Sequence, residues 1–381
     1  MRALITGGAG FIGSHLSEAL LTQGHEVMVL DDLSTGSVDN IAHLLPNPRF
    51  SFTIGSVTNE GLVAELMDTA DMAFHLAAAV GVRLVVSAPV HTIETNVHGT
   101  ETVLRQAAKQ RKLVVVASTS EVYGKGAVFP FREDADLVLG QPTKTRWGYA
   151  ASKLIDEFLA LAYWKERQLP VIVVRFFNTV GPRQSDRYGM VIPNFVRQAL
   201  AGQPLIVHGD GSQTRSFTWV GDVVSALLAL VKEPRSVGEV FNIGNGAEVS
   251  IRELAENIRT MTGSSSPIHF VSHHEVFGPS FEDMSRRVPD ISKLQRLVGY
   301  APKVHLDEIL ERVIEFWARR SSPVDQGFAA RRHNPRPAGA RRRLRNLVVA
   351  HPSGDEVGAT ESASRALVDD AREAVVGEAP Q

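Results

Sequence analysis

The chain contains no cysteine. Disulfides, thiol catalysis and cysteine-ligated zinc are therefore excluded, while the redox compartment is left open. Net charge is also nearly absent, at −2 over 381 residues. Neither a nucleic acid nor an anionic membrane is thus expected as the main partner. No apolar stretch is long enough to span a bilayer. The first apolar run begins at once after Met1, which leaves no room for a signal peptide, and the expected location is the cytoplasm. No internal repeat and no metal-ligand pattern stands out. What the chain has in quantity is apolar side chain, 44% of its residues. That is enough for one large α/β domain plus a smaller one, or for two domains.

Residues 1–120 alternate short apolar runs with helical patterns. The strand-like runs are Arg2–Thr6, Glu26–Leu30, Phe50–Ile54, Met72–Leu76 and Leu113–Ser118, with helix-like stretches such as Gly61–Thr69 and Pro89–Gln110 between them. Such alternation predicts an α/β fold, a doubly wound parallel sheet covered on both faces. The first run feeds into Gly7, Gly10 and Gly13, and a helical pattern follows through Leu16, Ala19, Leu20 and Leu21. Gly7 lets the chain turn tightly. Gly10 removes a Cβ where a pyrophosphate would approach, and Gly13 lets the helix lie close on the strand. The helix N-terminus offers free N–H groups and a partial positive charge to an anion. A glycine turn alone also occurs as a purely structural feature, so its context matters. The second strand ends in Asp31 and Asp32, about twenty positions after the turn, where a ribose 2′-hydroxyl is read. A carboxylate there favours NAD, because it repels a 2′-phosphate; a helix cap is the plainer alternative. Leu76, Ala77 and Ala78 end the fourth strand with small side chains, which lets a cofactor lie across the strand ends. His75 is assigned no chemistry.

The fifth strand ends abruptly in Ser118, Thr119, Ser120 and Glu121. The carboxyl ends of parallel strands form the ligand crevice of such sheets. Further on, Tyr149 and Lys153 stand at i and i+4, on one face of a helix. A lysine ammonium beside a phenol lowers its pKa from about 10 towards neutrality. Such a tyrosine can act as a base towards an alcohol.

With these motifs on the page, the chain resembles an extended short-chain dehydrogenase/reductase of the nucleotide-sugar epimerase, dehydratase and decarboxylase group. The resemblance runs from Met1 to about Arg320. It also rests on the stretch from Arg175 to Arg183, on Val207 to Phe217, on Val220-Gly221-Asp222 and on Phe241-Asn242-Ile243-Gly244. It implies a Rossmann-like NAD-binding domain over 1–178. A smaller mixed α/β lobe over 179–320 would hold the substrate's nucleoside diphosphate and send some segments back to the first domain. Helical patterns at Val191–Ala201, Gly221–Lys232, Ile251–Thr262 and Leu306–Arg320 fit this. A strand-like pair, Leu205–His208 and Ser216–Trp219, flanks a Gly-Asp-Gly-Ser turn, and residues 264–290 read as loop-rich. Residues 321–381 are arginine-rich and then acidic, and are expected to form a mostly disordered tail.

Roles follow residue by residue from the resemblance. NAD would be held by Gly7, Gly10, Phe11, Ile12 and Gly13, by Asp31, Asp32 and Ser34, and by Ser56 and Val57. Leu76, Ala77, Ala78, Asn96 and Phe176 would complete that site with Tyr149 and Lys153. Gly55-Ser56 departs from the family's usual Gly-Asp, which implies a weaker contact to the adenine. Thr119 would hydrogen-bond the sugar O4 and Tyr149. Tyr149 would take the O4 proton, and Lys153 would tune Tyr149 and hold the nicotinamide ribose. Ser120 would touch the sugar, Asn178 and Arg215 would grip the diphosphate, and Val207 would lie by the nucleobase. Of the two arginines before Pro289, Arg287 matches the one that decarboxylases of this group place near the sugar carboxylate. The helices Pro89–Gln110 and Tyr149–Lys165 are those that pair in the family's homodimer.

All members would share oxidation at C4 to a 4-keto sugar with the hydride returned later, and Glu121 separates their fates. A plain 4-epimerase needs no third acid or base. A 4,6-dehydratase needs a base at C5, but many also have an aspartate where Ser120 stands. Thr119-Ser120-Glu121 with a late Arg287 matches UDP-glucuronate decarboxylases, which form UDP-xylose. That reaction is the expectation. A UDP-sugar or UDP-uronate 4-epimerase and a nucleotide-hexose 4,6-dehydratase are the enzymatic alternatives. A non-catalytic NAD sensor is the alternative of another class, although such proteins usually lose the tyrosine or the lysine.

Overall fold

In a computed structural model of the chain, residues 1–321 and 347–349 are described, apart from positions 188, 273, 274, 277–281 and 283. The first half alternates strands and helices: β1 (Arg2–Thr6), α1 (Phe11–Thr22), β2 (Glu26–Asp31), β3 (Phe50–Ile54), α2 (Glu60–Thr69), β4 (Met72–His75), α3 (Val82–Ser87), α4 (Pro89–Ala108), β5 (Leu113–Thr119), α5 (Trp147–Arg167) and β6 (Val171–Phe176). The second half holds β7 (Thr179–Val180), α6 (Val191–Leu200), β8 (Leu205–His208), β9 (Thr214–Ser216), β10 (Thr218–Trp219), α7 (Val220–Leu230), β11 (Glu239–Ile243), β12 (Glu248–Ser250), α8 (Ile251–Met261), β13 (Ile268–Val271) and β14 (Arg286–Arg287). Helices Ser292–Val298 and Leu306–Ser321 follow.

Seven parallel strands of the main sheet run in the order β11, β6, β5, β4, β1, β2, β3. Side chains on successive strand residues alternate between the faces. In β5, Val115 faces one core while Val114 and Val116 face the other; in β6, Ile172 and Val174 are separated from Val171 and Val173 in the same way. The first face is covered by α1 and α7 through Leu16, Leu20, Val223 and Leu227. The second is covered by α2, α4 and α5 through Val63, Met67, Val103, Leu104 and Ala160. Because β1 has β2 on one side and β4 on the other, the chain reverses direction there, and a crevice opens between the two strand ends.

The smaller lobe has its own core. Ile192, Phe195 and Val196 of α6 meet Leu205 and Val207 of β8, Leu254 and Ile258 of α8, and Ile309, Leu310 and Val313 of the closing helix. The Leu205–His208 and Ser216–Trp219 runs are not partners. β8 pairs in parallel with β13, inside the segment read as loop-rich, while β9 lies between β12 and β14. The expectation of a disordered tail falls mostly outside the described residues; within them, Ser321 ends a helix and Leu347–Val349 form a strand. Among the described residues no helix is long and apolar enough to cross a membrane.

Candidate active site

One cavity of about 1080 Å³ runs from the glycine turn across the strand ends into the smaller lobe. Gly7, Gly10, Phe11, Ile12, Gly13, Asp31, Asp32, Ser34, Val57, Leu76, Ala77, Ala78 and Phe176 all line it. The turn has no room for side chains. A Cβ on Gly13 would stand 2.4 Å from the Gly7 carbonyl oxygen, and one on Gly7, at φ +72°, would stand 2.7 Å from the Ala77 nitrogen. Gly10 caps α1 without a side-chain hydrogen bond, so the first N–H groups of the helix are left for a ligand. Asp31 is buried at the cavity wall, accepting from Ala9 N–H at 2.9 Å and Leu33 N–H at 2.8 Å. It ties the glycine turn to the end of β2 and sets a carboxylate where a 2′-phosphate would otherwise fit. Cradle, helix terminus and acid together suit a dinucleotide without a 2′-phosphate.

Three expected cofactor or substrate residues lie elsewhere. Ser56 lines a second, adjoining hollow, and its hydroxyl is 2.9 Å from that of Thr58. Asn96 is buried; it accepts from Ala79 N–H at 2.8 Å and donates to the Ser152 hydroxyl at 3.0 Å. It braces the turn after β4 and does not line the cavity. Val207 points into the smaller lobe's core, and its neighbours Ile206 and His208 line the cavity instead. Strand alternation sets this facing, because adjacent residues point opposite ways.

The strand end of β5 builds the reactive corner. Thr119 accepts from Glu121 N–H at 3.2 Å, which starts a short 3-10 turn over Ser120–Tyr123. That turn brings Ser120 and Glu121 to the cavity wall. Tyr149 and Lys153 enter from the first turns of α5, and Tyr149 is hydrogen-bonded to Thr119. The anchoring beneath is a buried pair. Arg175 of β6 donates to Glu157 of α5 at 2.7 Å and to the Tyr123 hydroxyl at 2.8 Å.

The expected lowering of the Tyr149 pKa is not what this geometry gives. Burial, and next the charge of Glu121, push the phenol above its ordinary value; the Thr119 hydrogen bond opposes them. The Lys153 ammonium is engaged elsewhere, donating to Asp156 at 2.6 Å with both side chains buried. A bound cationic nicotinamide ring would add further positive charge at this corner and act against that rise.

Glu121 is clasped between two arginines. Its Oε1 is 3.3 Å from Arg287 Nη1 and 3.6 Å from Arg146 Nη2. Arg287 comes from β14, which runs beside β9 with Arg287 opposite Arg215. Both arginines line the cavity. Arg286 faces the other way and pairs with the exposed Glu248 at 2.6 Å. The Arg287 Nε is buried with no hydrogen-bond partner among the described residues, an orphan donor of the kind a ligand satisfies. Arg215 is buried on a strand, donating to the Thr214 carbonyl at 2.7 Å, and is not on a surface loop. Asn178 also lines the cavity, but it is held at φ +27° and its amide already donates to the Ser216 carbonyl at 2.9 Å.

Sequence reasoning missed Arg146. It is only 4% exposed and stands at the N-terminal cap of α5. A cation there opposes the helix dipole, and that local mismatch was the available signal.

The comparisons with known proteins agree with this geometry. A family model described as the NAD dependent epimerase/dehydratase family matches residues 3–244. The chain is 43% identical over 318 residues to a UDP-N-acetyl-alpha-D-glucosaminuronate decarboxylase of Bacillus cytotoxicus, covering 83% of this chain and 97% of that protein. It is 36% identical over 340 residues to UDP-glucuronic acid decarboxylase 1 of Danio rerio, covering 89% and 77%. Among solved structures, a UDP-glucuronic acid 4-epimerase from Bacillus cereus, in complex with UDP-glucuronic acid and NAD, superposes with a TM-score of 0.76 at 30% identity. That match covers 84% of this chain and 99% of the other. On the glycine cradle, the Thr119–Tyr149 corner and a family match over more than half its length, the chain belongs to the NAD-dependent epimerase/dehydratase family.

Proposed function

We propose that the protein decarboxylates a UDP-linked hexuronate, turning UDP-glucuronate into UDP-xylose through a transient 4-keto sugar. One observation carries the reading: two arginines and one glutamate meet beside Tyr149. Two guanidiniums against one carboxylate leave one positive charge for the carboxylate of a substrate. A neutral hexose offers nothing to match it, and Ser120 supplies no acid for a leaving hydroxyl.

NAD held at the glycine turn and Asp31 would supply the acceptor for the C4 hydride and the donor that restores it at the end. Tyr149 accepts the O4 proton, with Thr119 holding O4 in place. The resulting ketone is β to the C6 carboxylate. Breaking the C5–C6 bond releases carbon dioxide, and the bonding pair passes towards O4, where Thr119 and protonated Tyr149 stabilise the enolate. C5 then takes a proton, and Tyr149 gives its proton back to O4 as the ketone is reduced. Arg287 receives the carboxylate with its orphan Nε, Arg215 and Asn178 bind the diphosphate, and Asp31 faces the adenosine ribose. Glu121 orients the arginines and the water that delivers the C5 proton.

The curated relatives support decarboxylation but differ at C2, because one is named for the 2-acetamido sugar and another for glucuronate. Incubating the protein with UDP-glucuronate and with its 2-acetamido analogue, followed by mass spectrometry, tests the reading. Loss of carbon dioxide from either is the expected result. A changed retention time at unchanged mass identifies a 4-epimerase and overturns it.

We also infer a homodimer through α4 and α5. Val90 and Phe158 are 67% and 68% exposed, and Ile93 and Ile155 stand beside them on the same two neighbouring helices. Light scattering on Phe158→Asp should show a monomer where the unaltered protein is a dimer. A monomeric unaltered protein contradicts the inference.

A further inference from the structure

Asp156 is absent from the roles given above, yet it holds the one ammonium that the chemistry needs. Lys153 Nζ donates to Asp156 Oδ2 at 2.6 Å inside α5; both side chains are buried, and Lys153 lines the cavity. A chain of hydrogen bonds runs from the strand ends towards this carboxylate. Ala77 N–H donates to the Thr6 hydroxyl at 3.3 Å, and that hydroxyl is hydrogen-bonded to His75 Nδ1 at 2.8 Å. His75 Nε2 is in turn hydrogen-bonded to the Thr100 hydroxyl at 3.0 Å, and Thr100 lies beside Asp156, whose Oδ1 is buried with no hydrogen-bond partner among the described residues. Strand ends β1 and β4, helix α4 and helix α5 are thus joined to one buried carboxylate.

We propose that Asp156 is a positioning residue that shares the Lys153 ammonium with the bound cofactor and so sets how strongly that ammonium acts on Tyr149. The proposal rests on the reading of Tyr149 as the base towards the sugar O4. The charged and titratable groups around it are few. His75 of β4 faces Lys153 and stays neutral, Glu157 lies beside Asp156 and is matched by Arg175, and Glu121 faces Tyr149. Among these, Asp156 is the anion in direct contact with the ammonium. Without its charge, the Lys153 ammonium would have the Tyr149 phenolate as its natural counter-ion. The Tyr149–Lys153 pair would then give up its first proton at lower pH, whichever of the two it leaves.

The test uses the NAD-loaded protein and two readouts. The first is the pH profile of turnover. The second is the phenolate absorbance of Tyr149 without substrate, taken as the difference from Tyr149→Phe. In Asp156→Asn the acid limb and the phenolate midpoint should both fall by roughly half a pH unit or more. Asp156→Ser, also uncharged and smaller, should do the same and serves if the asparagine variant folds poorly. Asp156→Glu keeps the charge and should restore the original midpoint. Unchanged midpoints in a folded neutral variant, or an equal fall in Asp156→Glu, would reduce Asp156 to a packing partner. If Tyr149 gives no phenolate signal in any variant, the base assignment itself fails. The absorbance readout needs no sugar, so neither outcome depends on which substrate the protein takes.

Discussion

His75 makes the fold acid-sensitive in a way that can be calculated. It is fully buried between the Thr6 and Thr100 hydroxyls, and burial, followed by the charge of Lys153, pushes its pKa from 6.5 down to about 3. The folded protein therefore keeps the ring neutral, while the unfolded chain protonates it as the pH drops below 6.5. Because the unfolded state binds more protons, the neutral ring's contribution is full above that pH and is lost progressively as the pH falls towards the folded value. Between about pH 7 and pH 5 the loss from this one group is about 2 kcal/mol. The figure hardly changes if the folded pKa is a unit higher, because at pH 5 the folded ring is still almost wholly neutral. Urea denaturation followed by circular dichroism at both pH values measures it. His75→Gln removes the titration while keeping a side chain that can hydrogen-bond. The unaltered protein should lose about 2 kcal/mol more than the variant over this range. Parallel losses would mean that the folded protein accommodates the imidazolium, and the buried hydrogen-bond chain would be wrong.

Tyr149→Phe should cut turnover by roughly two to four orders of magnitude while NAD still copurifies, as read by absorbance; near-normal turnover would remove the proposed base. Gly13→Ala puts a Cβ 2.6 Å from the Gly8 Cα as well as against the Gly7 carbonyl, so the backbone of the turn must move. The variant should purify without NAD, and full retention would contradict the cradle. Glu157→Gln strands the buried Arg175 guanidinium without its carboxylate. Unfolding should become easier by about 3–5 kcal/mol, and a change below about 1 kcal/mol in urea titration would show that the pair is hydrated.

The sheet was legible because its signals are local. Runs such as Leu113–Ala117 are apolar throughout, as a strand buried on both faces must be, and the glycines at 7, 10 and 13 mark the one turn that must approach phosphate. Thr119, Glu121, Tyr149 and Lys153 were legible as a set because a strand end and a helix face each present their residues at fixed spacing. The misses are tertiary. β8 pairs with β13 across the intervening helices α7 and α8 and strands β9–β12, a partner no turn signal announces. The neighbours Thr95, Ile206 and His208 line the cavity where Asn96 and Val207 do not, a one-residue difference in facing that sequence does not show. The state of Tyr149 depended on its burial and on Glu121, while Lys153 is held by Asp156, three residues further along the same helix. That acid was visible in the sequence, but its burial was not. Arg146 carried a local signal, a cation at a helix start, whose meaning depended on Glu121 arriving from another element.

The central claim is that the two arginines around Glu121 receive a sugar carboxylate that is lost during turnover. The direct measurement is the product mass from UDP-glucuronate and its 2-acetamido analogue, with the unaltered protein and with Glu121→Ala. The account predicts that the unaltered protein releases carbon dioxide from at least one of the two and that Glu121→Ala does not. Full decarboxylation by Glu121→Ala, or a product of unchanged mass from the unaltered protein, would contradict it.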